Sequence, residues 1–145
     1  AVGHGLNAAV AQFIKGTWAC GERQLLENAG VKFSVMGTGF TWNTQDKEKD
    51  IAAAKQVWVK CKALLADNNI DVVLLDEMTY MLSYKYLDLD EVIEALNNRP
   101  KNQHVIITGR ACHRAIIDLA DTVSEVQSIK HAFDNGIKAQ KGIDW

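Results

Sequence analysis

Apolar and polar positions along the 145-residue chain switch between two periods. "NAAVAQFI" (7–14) is a β-prone run, and "ERQLLENA" (22–29) is a brief helix that Gly30 ends. Val31, Phe33 and Val35 then alternate with Lys32 and Ser34, which is strand periodicity over 31–36. From 47 to 67 the pattern turns helical, with Ile51, Ala54, Trp58, Cys61 and Leu65 on one face. "DVVLLDE" (71–77) reads as a buried strand. Asp88 and Glu91 form a capping pair for a helix running to Asn97, and Arg99-Pro100 breaks the chain. "HVIIT" (104–108) is another strand, "GRACHRAIIDLA" (109–120) starts a helix, and "DTVSEVQSI" (121–129) is a last strand before an irregular tail.

This order is β-α-β-α-β-α-β-α-β. Strands that alternate with helices predict a mostly parallel sheet with helices on both faces. The near-continuous apolar runs at 72–75 and 105–107 are those of central strands. With no linker or repeat, residues 1–145 are expected to form a single domain.

Composition narrows the function classes. A formal charge of −2 supplies no basic field for nucleic acid. No apolar stretch reaches membrane-spanning length, and "AVGHGLNAAV" lacks the charged and apolar regions of a signal peptide. Cys20, Cys61 and Cys112 are odd in number and widely spaced, which predicts a reducing, cytoplasmic setting without disulfide or zinc framework.

In an open parallel sheet, ligands bind beyond the carboxyl ends of the strands. The residues that follow each predicted strand are Lys15-Gly16-Thr17-Trp18, Gly37 to Trp42, Asp76-Glu77, Thr108-Gly109-Arg110 and Lys130-His131. Trp18, Phe40 and Trp42 are unusual loop fillers, because an exposed aromatic forgoes burial. Asp76-Glu77 after four apolar residues has the form of a Walker B element, in which an acid at a strand end holds Mg²⁺ against phosphate oxygens. A strand-ending Asp that caps the next helix explains the same residues equally well. The G-x-x-x-x-G-K-[ST] phosphate loop that normally accompanies a Walker B is absent from the sequence.

Arg110 and Arg114 lie four apart, close to a helix start, and either meet polyphosphate or pair with surface acids such as Asp118. Cys112-His113 has no second ligand pair nearby and reads as a packed Cys beside an ordinary His. Tyr80, Tyr84 and Tyr86 read as a half-buried helix with polar tips.

Taken together, "VAQFIKGTW", "GERQLLE", "GTGFTWNTQD", "VVLLDEMTYML", "ITGRACHRAIIDLADTVSE" and "KHAFDNGIKAQKGIDW" resemble the ATP:corrinoid adenosyltransferases of the CobA/BtuR type. The likeness runs over nearly the whole chain. It implies a RecA-like, P-loop-type α/β fold of three layers. In that family a strand and a glycine-rich loop precede the "AVGHG-N" segment, so the chain is expected to lack its N-terminal strand and Walker A loop.

The resemblance implies transfer of the 5′-deoxyadenosyl group of ATP to Co(I) of a corrinoid, with release of triphosphate. It implies Mg²⁺ at Asp76 and Glu77, with Glu77 as the direct ligand. Phe40 and Trp42 would cover the lower face of the corrin and exclude its axial ligand. Thr17 and Trp18 would lie near the nucleotide, and Arg110 would meet phosphate or corrin side chains. A reduced flavoprotein as electron donor and a homodimer are further implications. The 145-residue chain alone is expected to have little activity and the full-length form to transfer adenosyl. Two alternatives stay open: another RecA-like NTPase, and a non-catalytic corrinoid-binding remnant.

Overall fold

Small and branched apolar side chains at alternate positions build the centre of the sheet. A computed structural model describes residues 1–14, 21–36 and 47–143. Four strands, β1 (Ala8–Gln12), β2 (Lys32–Val35), β3 (Val72–Asp76) and β4 (His104–Ile107), form one sheet in the order β2-β1-β3-β4. Every pairing is parallel, with Gln12 opposite Asp76 and Leu75 opposite Ile107. The helices are α1 (Gly21–Asn28), α2 (Lys47–Leu65), α3 (Thr79–Ser83), α4 (Leu89–Asn97) and α5 (Arg114–Leu119), with 3₁₀ turns at Val2–His4 and Ala132–Asn135.

The parity of the strands decides where the core sits. Ala9, Ala11, Val73 and Leu75 share one face and are fully buried. The predicted stripe of α2 supplies Ala54, Trp58, Cys61 and Leu65 to the same core, and Val92 and Leu96 of α4 join it. The Trp58 indole belongs to the same buried cluster as the two alanines of β1 and is itself 2% exposed. Burial pushes the Cys61 thiol up to about 12, so it is an inert packing group.

Chain ends are tied where the sequence signals them. Asp88 accepts from the Glu91 backbone N–H at 3.0 Å and caps α4 as predicted. The Glu91 carboxylate turns instead to Lys62 of α2. Gly30, with φ +89, stops α1 in the left-handed conformation that favours glycine. The buried Gln103 amide donates to the carbonyls of Leu64, Asp67 and Ile70, which ties the end of α2 and the turn after it to the start of β4.

Three expectations need correction. The run at 105–107 is not a central strand among the described residues: β4 is an edge, and Ile106 is 51% exposed. The second face of the sheet is correspondingly thin, with Val72 and Leu74 only half-buried. Segment 121–129 forms no strand and is exposed throughout. A lone parallel strand gains nothing without a neighbouring ladder to join. Finally, the predicted helix at 109–120 begins only at Arg114, because Gly109 (φ +137) and Ala111 (φ +50) hold the chain out of helical geometry.

Candidate functional site

β3 delivers Asp76 to the carboxyl edge of the sheet, and the chain then turns sharply. Glu77 has φ +58, a left-handed conformation that costs a non-glycine residue about 1–2 kcal/mol. Its backbone N–H donates to the Thr108 hydroxyl at 3.0 Å. That hydroxyl donates in turn to Asp76 Oδ1 at 2.9 Å. From the other side, the Gln12 amide donates to Asp76 Oδ2 at 3.3 Å. Asp76 is therefore gripped by polar groups from both neighbouring strands, β1 and the end of β4.

The same loop holds α3. The Thr79 hydroxyl donates to the Arg110 carbonyl at 2.8 Å, and the Ser83 hydroxyl lies 3.2 Å from the Ala111 carbonyl. Gly109 is required for this approach: a Cβ there would sit 2.0 Å from Thr79 Oγ1, in a backbone conformation that L side chains rarely adopt. Strain at Glu77, Gly109 and Ala111 is thus concentrated on one rim, where neighbouring hydrogen bonds over-determine it.

The electrostatics of the rim follow from burial. Burial pushes the Glu77 carboxyl above its ordinary range, the Asp76 charge pushes it further, and the Arg110 guanidinium pulls it back. Glu77 Oε2 is buried and has no hydrogen-bond partner among the described residues. A buried carboxylate oxygen without a donor is costly unless a cation or donor arrives. Among the described residues no three His, Cys, Asp or Glu side chains cluster as an all-protein metal cage. Two adjacent carboxylates with one orphan oxygen fit instead a hard cation that takes most of its ligands from water and substrate.

The structure brings Asp76, Glu77 and Arg110 to one rim, with Arg110 exposed on the loop before α5. It separates Arg110 from Arg114, which pairs with Asp118 at 2.8 Å as a surface ion pair. His113 accepts from the Ala115 N–H and caps α5, and Cys112 is exposed beside it rather than packed as expected; among the described residues neither stands in a group of three metal-ligating side chains. Tyr84 sits between Tyr80 and Tyr86 in a tilted aromatic row, and Tyr86 is buried. Phe40, Trp42, Thr17 and Trp18 lie outside the described residues. A cleft of about 810 Å³ opens beside α2, lined by Ile51, Lys55, Trp58, Leu82, Lys85 and Tyr86 among others; Asp76 and Glu77 do not line it.

Sequence reasoning overlooked Gln12 and underused Thr108. The available signal was Gln12 itself, a lone amide inside the apolar run "AAVAQFI". A polar side chain at a strand position that must be buried needs a partner, and Asp76 is that partner.

Residues 1–145 match the ATP:corrinoid adenosyltransferase family BtuR/CobO/CobP. The chain is 63% identical over 145 residues to the corrinoid adenosyltransferase of Escherichia coli strain K12, covering 100% of this chain and 74% of that protein. It is 64% identical to corrinoid adenosyltransferase CobA of Salmonella typhimurium strain LT2, with the same coverage. The corrinoid adenosyltransferase of Pseudomonas aeruginosa strain PAO1 is 46% identical over 147 residues, covering 100% of this chain and 72% of that protein. A family match across every residue, joined to an acidic pair at the sheet's carboxyl edge, means that the chain belongs to the ATP:corrinoid adenosyltransferase family.

Proposed function

We infer that the protein transfers the 5′-deoxyadenosyl group of ATP to the cobalt of a corrinoid, in the making or salvage of adenosylated corrinoids. The observation that carries this reading is the family match over all 145 residues. Both reactants are substrates. The Co(I) lone pair forms a bond to C5′ while the C5′–O5′ bond breaks, and the electron pair of that bond leaves on triphosphate. Cobalt is the nucleophile, so the protein need supply none.

What the chain must supply is orientation and charge. Holding C5′ in line with cobalt is worth up to roughly 7–11 kcal/mol of the barrier. We propose that Asp76 and Glu77 hold Mg²⁺ at the polyphosphate, Glu77 through its unpartnered Oε2 and Asp76 through the metal's water shell. Both Asp76 oxygens already accept from protein donors, which favours this division. Bound there, Mg²⁺ would neutralise the charge that grows on the departing triphosphate. Arg110, whose charge is felt at Glu77, is placed to meet the same phosphates. Thr17 and Trp18, which come after β1 in the sequence, are proposed to border the nucleotide.

The RecA-like identity of the fold is part of this proposal. The parallel order β2-β1-β3-β4 and the half-exposed Ile106 on the β4 edge support a further strand docking there, carrying a phosphate loop. A single domain, a homodimer and a reduced flavoprotein donor belong to the same reading. No described helix is long and apolar enough to cross a membrane.

Phe40 and Trp42 are proposed to wall the lower corrin face. An apolar wall offers cobalt no donor atom, so four-coordinate Co(II) is favoured, and that species is the more easily reduced. Cob(II)alamin bound with MgATP to the full-length form should show a four-coordinate electron paramagnetic resonance spectrum. Phe40→Ala and Trp42→Ala should each return most of it to the five-coordinate spectrum. An unchanged four-coordinate fraction in both variants would remove the aromatics from this role.

The rival reading as a hydrolytic NTPase predicts phosphate release from ATP without corrinoid. Triphosphate appearing one-for-one with adenosylcorrinoid supports the transferase; corrinoid-independent phosphate release would replace it.

A further inference from the structure

We propose that Gln12 and Thr108 are positioning residues that set the acidic pair: Gln12 and Thr108 orient the Asp76 carboxylate from opposite sides, and Thr108 also holds the left-handed turn that aims Glu77. The inference rests on the reading of Asp76 and Glu77 as the Mg²⁺–ATP acids.

Register makes the arrangement. Gln12 and Asp76 are paired across β1 and β3 and point to the same face of the sheet. Leu75 pairs with Ile107, so Thr108 stands beside Asp76 on the other flank. Three adjacent strand ends thus place an amide, a carboxylate and a hydroxyl in one row. The ladder extends into the row, because the Phe13 N–H donates to the Asp76 carbonyl at 3.0 Å and the Thr108 N–H to the Leu75 carbonyl at 3.1 Å. Neither Gln12 nor Thr108 can shift without breaking these bonds.

The proton inventory fixes the roles. The Thr108 hydroxyl has one hydrogen, and it points to Asp76 Oδ1 at 2.9 Å. Its lone pair faces the Glu77 N–H at 3.0 Å. One hydroxyl therefore joins the rotamer of Asp76 to the backbone of Glu77. The Gln12 amide has one possible orientation, since its oxygen would repel the carboxylate. With Nε2 on Asp76, Oε1 has no hydrogen-bond partner among the described residues, although Gln12 is only 5% exposed. An orphan acceptor beside Asp76, together with the orphan Glu77 Oε2, leaves two oxygens on this rim without a partner among the described residues. Both are suited to the hydrogens of metal-bound water or to the metal itself.

A structural role alone would require only that these polar groups be satisfied, and among the described residues Gln12 Oε1 is not. Thr108→Val keeps the branched shape and deletes the hydroxyl. Thr108→Ser keeps the hydroxyl and loses a methyl group. Gln12→Leu removes both amide functions. Two readouts separate positioning from folding: Mn²⁺ binding in the presence of ATP, followed by the loss of the free-Mn²⁺ paramagnetic signal, and the kcat and KM of adenosyl transfer by the full-length form. Thermal unfolding of each variant accompanies them.

Thr108→Val should weaken Mn²⁺ binding about 10- to 100-fold and lower kcat by a similar factor. KM for the corrinoid should stay within about twofold of the parent. Thr108→Ser should restore Mn²⁺ binding to within a few-fold, and Gln12→Leu should give a smaller loss in the same direction. Thr108→Val with parental Mn²⁺ binding would overturn the proposal. So would a Thr108→Ser variant as impaired as Thr108→Val, because shape rather than the hydroxyl would then matter. Glu77→Ala serves as the separate control. If Glu77→Ala binds Mn²⁺ normally, the assignment of the acids has failed; if Glu77→Ala loses binding and Thr108→Val does not, only the positioning role has failed.

Discussion

Glu77→Gln is expected to cut adenosyl transfer by about 100-fold or more while making the protein harder to unfold at neutral pH. The two effects share one cause. Glu77 sits in a left-handed turn with a buried Oε2 that has no partner among the described residues, and its carboxyl is pushed above its ordinary range by burial, then by the neighbouring Asp76 charge. A group whose folded value is raised contributes stability while it is protonated, and that contribution is lost as pH rises through the folded value. Above that folded value the ionised Glu77 is thus a liability to the fold, and an uncharged amide relieves it. The gain in Tm should shrink towards zero as pH falls below the ordinary carboxylate range, where Glu77 is protonated in both folded and unfolded chains. The activity loss follows because a neutral amide is a poor ligand for a hard dication, and removing one preorganised charge partner typically costs 10²–10³ in rate. Added MgATP should raise the Tm of the parent and leave that of Glu77→Gln nearly unmoved. A Gln variant less stable than the parent at pH 7, or one with full activity, contradicts this account.

The second large effect is expected at Gly109. A methyl group there would lie 2.0 Å from Thr79 Oγ1 and 3.2 Å from Thr79 Cβ, with φ at +137. Overpacking of this kind costs about 1–3 kcal/mol, and the left-handed backbone adds about 1–2 kcal/mol. Gly109→Ala should therefore lose about 2–5 kcal/mol in urea unfolding. It should also impair catalysis, because α3 and the 108–111 loop carry the turn at Glu77. Thr79→Ala alone removes the bond to the Arg110 carbonyl and should cost about 1 kcal/mol. In the Gly109→Ala background the same change removes the closest clash, so the double variant should be more stable than Gly109→Ala alone. Rescue stays partial because Thr79 Cβ and the backbone strain remain. Additive losses would show that Thr79 and Gly109 do not meet.

Most of the fold was legible because local pattern and burial agree there. The stripe from Ile51 to Leu65 predicted α2, and Trp58, Cys61 and Leu65 are buried as that stripe requires. Asp88 capped the helix it was expected to cap. What failed were readings that depend on neighbours. "HVII" is apolar enough for a central strand, yet β4 is an edge because no described strand pairs with its outer side. "DTVSEVQSI" has strand composition, but a parallel strand exists only through its partners, and among the described residues it has none. The helix at Arg114 started late because Ala111 adopts a left-handed conformation that composition does not announce.

The site was legible as chemistry and not as geometry. Asp76 and Glu77 stood out as two acids ending an apolar run, and they do reach the sheet rim. That Gln12 and Thr108 hold Asp76 depends on strand order and register, which no linear spacing encodes. Arg110 and Arg114 looked like one helical face, and the late helix start assigned them to different surroundings.

The most direct test of the whole account is a distance between two paramagnetic ions. Mn²⁺ would replace Mg²⁺ at Asp76 and Glu77, and the Co(II) of bound cob(II)alamin would be the second spin, with ATP present in the full-length form. If C5′ bridges metal-bound polyphosphate and cobalt in a near-attack arrangement, the two ions should couple at about 10 Å. Wild-type enzyme should show that coupling, and Glu77→Ala should lose it. Two uncoupled spins, or a separation beyond about 20 Å, would mean that acids and corrin do not share one site.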